Sequence, residues 1–149
     1  MGIAHHSRCT LRLYGDALDP DAVTAALGCA PSRGWRKGDQ RVFPKSGRVA
    51  IERTGGWALY AEDREPEDLP AQIREVLDRL NDDPAVWADL RTHCRIDMFC
   101  GVFMASGNDG LEFEPELLHA LAVRGIKLSL DIYDAEDADD AGAPPVPAA

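Results

Sequence analysis

The sequence lacks the features that mark a membrane, redox or phosphate-handling protein. No apolar run approaches the roughly eighteen residues that a membrane-spanning helix requires. There is no CxxC pair, no histidine stands at metal-ligand spacing, and Lys37-Gly38-Asp39 falls short of a GxxxxGKS/T phosphate loop. Ser106-Gly107 does not fit the GxSxG elbow of a hydrolase. Basic residues are scarce as well. Sixteen Lys and Arg against 26 Asp and Glu leave a net charge of −10, which opposes non-specific binding to DNA or to an anionic membrane. The start, Met1-Gly2-Ile3-Ala4-His5-His6-Ser7, lacks the charged and apolar regions of a signal peptide, and Ser7 falls one place beyond the myristoylation pattern. The expectation is a cytoplasmic chain with no membrane partner.

Cysteine is sparse too: Cys9, Cys29, Cys94 and Cys100. On a single strand Cys94 and Cys100 would lie about 20 Å apart at ~3.3 Å per residue. A disulfide needs Cα atoms within about 7 Å, so reduced, buried thiols are expected. With 149 residues and 45% hydrophobic content the chain suits one domain that needs no disulfide, metal or cofactor to fold.

Hydrophobic periodicity locates the elements. Cys9, Leu11 and Leu13 alternate with Thr10, Arg12 and Tyr14, a strand with one buried face. Asp19-Pro20 starts a short helix through Val23 and Leu27, and Gly28 stops it. Residues 32–47 read as a long loop or irregular hairpin. Residues 48–53 and 57–61 read as two strands with Thr54-Gly55-Gly56 as their hairpin turn. Leu69, Ile73, Val76, Leu77 and Leu80 make a helical stripe, and a shorter helix follows Asp83-Pro84 around Val86, Trp87 and Leu90. The next strand places Ile96, Met98, Cys100 and Val102 on one face and Arg95, Asp97, Phe99 and Phe103 on the other. A turn at residues 106–110 leads to a short returning strand at 111–113. A helix from Pro115 ends at Gly125. The last strand buries Ile126, Leu128, Leu130 and Ile132 and exposes Lys127, Ser129, Asp131 and Tyr133. Residues 1–134 form one domain, and 135–149, of acidic, alanine, glycine, valine and proline residues, read as a disordered tail.

This order predicts an α+β, two-layer sandwich: a mainly antiparallel sheet with helices on one face, a ferredoxin-like core and an extra helix–strand unit. The string Gly15…Asp19-Pro20…Thr24…Leu27-Gly28…Pro31…Lys37-Gly38-Asp39 resembles the N-terminal signature of the bacterial domain-of-unknown-function 4279 family. Trp57 after paired glycines, the helix over 69–80 and the ending Gly125-Ile126 through Asp131-Ile132-Tyr133 are similar to its middle and end. The resemblance spans residues 8–134. It implies an α+β domain and carries over no activity or catalytic residue.

Two regions are candidate sites. The first is the open sheet face, where Arg12, Tyr14, Arg95, Asp97, Phe99, Asp131 and Tyr133 project away from the helices. Arginine, tyrosine and phenylalanine are favoured at binding surfaces. The bland alternative is a solvated face with ion pairs such as Arg95 with Asp131, and a third reading buries this face in a homodimer. The second is the basic segment 33–53, with seven bases against two acids, including Trp35, Arg36, Lys37 and Asp39. It carries no nucleic-acid signature, so no DNA is expected, and a small anion or a protein partner suits it better. It could also hold the acidic tail. The bland reading is a loop neutralised by the domain's own acids. Asp97 with Asp131 would make a carboxylate pair if their strands were adjacent.

His93 and His119 read as surface histidines, His5 and His6 as a frayed terminus, and Trp57 and Trp87 as core. Without a nucleophile–base pair or metal motif, the reading favours a protein- or ligand-binding module over an enzyme. An immunity-like role enters only by analogy with small acidic toxin-neutralising proteins. The alternative is a small-molecule enzyme or sensor with a pocket between the sheet face and residues 32–47, using Asp97, Asp131 and Tyr133.

Overall fold

A computed structural model describes residues 2–135, so nearly all of the expected acidic tail lies outside the described residues. In chain order the elements are β1 (His6–Gly15), α1 (Pro20–Leu27), β2 (Arg33–Trp35), β3 (Gln40–Val42), β4 (Val49–Ile51), β5 (Gly55–Tyr60), α2 (Leu69–Asp78), α3 (Pro84–His93), β6 (Arg95–Phe103), α4 (Pro115–Arg124) and β7 (Lys127–Tyr133). Every one of these helices starts with a proline in its first two positions behind an acidic residue. Proline there gives up an N–H that has no helical partner anyway. Asp19, Asp68 and Asp83 each accept a backbone N–H as N-caps, whereas Glu114 makes no such bond. Gly28 (φ 75°) and Gly125 (φ 66°) end α1 and α4 in the left-handed conformation that a side chain would oppose.

The main sheet has the order β2-β5-β1-β6-β7. β1 runs antiparallel to β5 and β6, β2 antiparallel to β5, and β7 parallel to β6. Thus β1 and β2 point the same way with β5 between them, and β5 and β6 point the same way with β1 between them. Those two interlocked split βαβ units form the ferredoxin-like core, and α4–β7 is the appended unit. The result is a two-layer α+β sandwich. Leu11 and Leu13 of β1, Trp57 and Leu59 of β5 and Met98 and Cys100 of β6 pack with Leu27, Ile73, Val76, Trp87 and Leu117 of the helices. Trp57 and Trp87 are both fully buried, as their placement in the sequence predicts.

Three local expectations are corrected. Thr54-Gly55-Gly56 is not a hairpin turn: β4 pairs with β3, and β5 pairs with β1 and β2. The glycines lie within β5, where a backbone carbonyl crowds Gly55 and a side chain crowds Gly56. A Cβ on Gly56 would sit 2.0 Å from the Trp35 ring, and one on Gly55 2.7 Å from the Leu18 carbonyl oxygen. Residues 111–113 form no strand. In β7, Leu130 and Ile132 are 40% and 57% exposed, not buried. Ten helical residues of α4 cover only about 15 Å, while Ile132 stands about 20 Å beyond Ile126 at ~3.3 Å per residue. The end of β7 therefore outruns the helix above it.

Candidate binding face

The strand registers place the outward residues in rows across the sheet. One row is Arg33, Ala58, Arg12, Asp97 and Lys127, and the next is Trp35, Gly56, Tyr14 and Arg95. A third joins Tyr60, Thr10, Phe99 and Ser129. Near the far end, Arg8 and Asp131 flank Gly101, and His6, Phe103 and Tyr133 form the last row.

At the first end Arg12 grips Asp97 with two bonds, Nε to Oδ1 at 2.8 Å and Nη2 to Oδ2 at 2.6 Å. The guanidinium also lies over Phe99, with Cζ 4.2 Å from the ring centroid. Asp97 is only 4% exposed although no helix covers this face. A carboxylate held this way is satisfied through its planar fork with Arg12. Arg95 stacks on Tyr14 at 4.6 Å and Arg33 on Trp35 at 4.0 Å, with Arg33 also bonded to Glu52. Trp35 reaches across the space left by Gly56 and donates its indole N–H to the Thr54 carbonyl at 3.0 Å. Arg12, Tyr14, Trp35, Arg95, Asp97 and Phe99 therefore converge. Asp97 is buried beneath Arg12 rather than standing free, and Arg95 pairs with Tyr14 rather than with Asp131.

Asp131 and Tyr133 do not join that group. Asp97 lies opposite Lys127, four residues before Asp131 along β7, a separation of about 13 Å. The carboxylate pair considered from sequence is not formed. Instead the Tyr133 hydroxyl donates to Asp131 at 2.8 Å, and that bond raises the phenol's pKa above its ordinary value. Tyr133 stacks on Phe103 at 4.6 Å, and Phe103 stacks on His6 at 3.9 Å. Phe103 is fully buried between them. Burial, with His5 and Arg8 nearby, lowers the His6 pKa. His5 and His6 are therefore not a frayed end, because Ser7 N–H bonds to the Arg64 carbonyl and Arg64 N–H to the Ser7 carbonyl.

The basic segment is partly neutralised by the domain's own acids. Arg36 pairs with Asp19 and Asp21, Lys37 with Asp16, and Asp39 accepts the Arg36 backbone N–H. These exposed pairs tie the loop to the start of α1 and offset the charges of Arg36 and Lys37, while Arg41, Lys45, Arg48 and Arg53 make no ion pair among the described residues. Arg41 and Arg48 flank Phe43 on the β3–β4 hairpin, which stands apart from the main sheet. His93 lies 3.8 Å from Asp89, and His119 is exposed. A shallow cavity of about 310 Å³ is lined by residues that include Gly2, Ile3, Glu67, Asp68, Pro70 and Leu111, and none of residues 32–47 borders it.

Sequence reasoning missed two functional-looking features. The buried pair Ser7 and Gln72 is one: Gln72 accepts from the Ser7 hydroxyl and donates to the Ser7 and Glu62 carbonyls. Ser7 is in phase with Cys9 and Leu11, which marked it as inward-facing. The His6–Phe103–Tyr133 stack is the other, and it required the register of three strands. No helix of the described residues is long and apolar enough to cross a membrane. Neither the curated proteins nor the solved structures yielded a match to this chain. The model of the family described as domain of unknown function (DUF4279) matches residues 5–135, from just before β1 to just after β7, and the chain belongs to that family.

Proposed function

We propose that this chain is a protein-binding module, and that the Tyr14 end of its open sheet face recognises an acidic surface on its partner. The observation that carries this reading is a pair of exposed cations, Arg95 and Lys127, which make no ion pair among the described residues. They border the half-buried Trp35, Tyr14 and Phe99. On a chain of net charge −10, these two cations give this end of the outer sheet face a locally positive rim beside its aromatic rings. Half-buried aromatics ringed by guanidinium and ammonium groups suit a flat protein contact, with the rings displacing water and the cations selecting carboxylates. Toxin neutralisation is one form that such a module takes. The enzyme alternative is weaker because both Asp97 oxygens are bonded to Arg12 and the carboxylate is only 4% exposed, so it is covered rather than presented to a substrate.

The test compares affinity capture from lysate by the intact protein, by Arg95→Ala/Lys127→Ala and by Tyr133→Ala. A stoichiometric protein partner retained by the wild type and by Tyr133→Ala, but lost with the double substitution, supports the reading. Retention by all three removes the Tyr14 end as the contact surface. A retained small anion in place of a protein reassigns the two cations to ligand binding.

A further inference from the structure

At the far end of the open face, His5 and His6 turn their imidazoles toward each other. Their Nδ1 atoms are 2.8 Å apart and the rings meet edge to face, with an interplanar angle of 78°. Separate contacts hold each ring. His5 Nε2 lies 3.1 Å from Glu65 Oε1, and His6 stacks almost parallel on Phe103. Glu65 follows Arg64, whose backbone is bonded to Ser7 in both directions, so the carboxylate is fastened to the same strand as the histidines.

This arrangement dictates the tautomer of His5. A neutral imidazole carries one N–H, and the carboxylate draws it to Nε2, which leaves the Nδ1 lone pair facing His6. A histidine donating one ring N–H to a carboxylate while its other nitrogen is bare is how metal-ligating histidines are usually held. The nitrogen separation also matches a metal site. Two donors at ~2.0 Å from one ion are about 2.8 Å apart at a right angle and about 3.3 Å apart at the tetrahedral angle.

We propose that His5 and His6 bind a divalent transition-metal ion through their two Nδ1 atoms, in the right-angle geometry of Cu(II) or Ni(II). Glu65 is the positioning residue, acting through His5, and water fills the remaining coordination positions. Binding from the neutral pair releases no net proton, because the His6 proton moves from Nδ1 to Nε2. The His-x-x-His type of spacing is absent because the donors are adjacent residues. Neighbours within a strand point to opposite faces, and these converge only because His5 lies just outside β1 while His6 begins it.

The test uses the intact, tag-free chain titrated separately with Cu(II) and Ni(II) salts by calorimetry, with electron paramagnetic resonance of the copper form. Copper binds imidazole sites tightly in general, so the variant series decides the matter. One equivalent is expected, with a tetragonal copper signal split by two imidazole nitrogens. His5→Gln and His6→Gln should each remove that two-nitrogen signal, and His119→Gln should leave it intact. Glu65→Ala should weaken binding about 10–100-fold, with Glu65→Gln, which keeps an acceptor oxygen, restoring most of it. Circular dichroism checks that each variant is folded. Undiminished binding by folded His5→Gln or His6→Gln overturns the proposal, as does a wild-type chain that binds neither ion.

Discussion

The two faces of the main sheet bury side chains by different means and to different extents. Toward the helices, Leu11, Leu13, Trp57 and Met98 are at most 1% exposed because α1, α2 and α3 lie over them. On the opposite face no helix intervenes, yet Asp97 is 4% exposed and Phe103 is fully buried. There the cover is made of the sheet's own long side chains: Arg12 over Asp97 and Phe99, Arg95 on Tyr14, and His6 and Tyr133 on either side of Phe103. Long amphipathic side chains can shield neighbours while keeping their charged ends wet. A face without a second layer is therefore not automatically a solvated one, and at its rim Arg95 and Lys127 stay exposed with no ion pair among the described residues.

The largest test of this contrast removes the guanidinium. Arg12→Met leaves the Asp97 carboxylate buried without its partner and should cost about 3–5 kcal/mol in urea unfolding, and Arg12→Met/Asp97→Leu should recover most of that. This would rival Leu11→Ala on the helix side, for which about 2–5 kcal/mol is expected. A cost below about 1 kcal/mol would instead class the pair with ordinary exposed ion pairs and dissolve the distinction between a covered and a solvated outer face.

A smaller effect comes from Gly56→Ala. The new Cβ would fall 2.0 Å from the Trp35 ring, so the indole must leave its seat beside Arg33. A loss of about 1–3 kcal/mol is expected, with a red shift in tryptophan fluorescence as Trp35 becomes wetter. Unaltered emission would mean that the ring does not cover this end of the face.

The smallest test returns to the helix side. Burial pushes the Cys94 thiol up to about 11 from an ordinary value of 9.0. Between those values the unfolded chain has lost the proton that the folded chain keeps, so stability present below about pH 9 should decline as pH rises toward 11. Cys94→Ala should flatten part of that decline, measured as Tm against pH. The buried Cys9 is also pushed up, chiefly by its hydrogen bond with Cys100, so some slope should persist. An identical profile in the variant would show that Cys94 titrates as an exposed thiol.

Local chemistry made much of the fold legible. The acid-then-proline starts and the glycine stops placed the helices, and alternation placed β1, β6 and β7 with the correct outward residues. The short strands were harder to read. β2, β3 and β4 are three residues each, too short for alternation to register, and Gly55-Gly56 carries the same local signal whether it turns a hairpin or makes room for Trp35. For the candidate face the membership was legible and the partners were not. Which residues point outward follows from a period of two within one strand, whereas Arg12 meeting Asp97, 85 positions away, depends on the register between β1 and β6.

By itself the sequence determined the helices and the long strands β1, β6 and β7, the two-layer class, the acidic charge and the outward-facing side chains of those strands, because each arises from neighbours along the chain. Only the tertiary structure decided that Asp97 is gripped by Arg12, that Asp131 stands apart from it and that Arg36 and Lys37 are cancelled by the acids around α1. It alone also decided that His5 and His6 face one another over Glu65. These relations depend on strand register and on the path of loops, where a shift of one residue would exchange every partner.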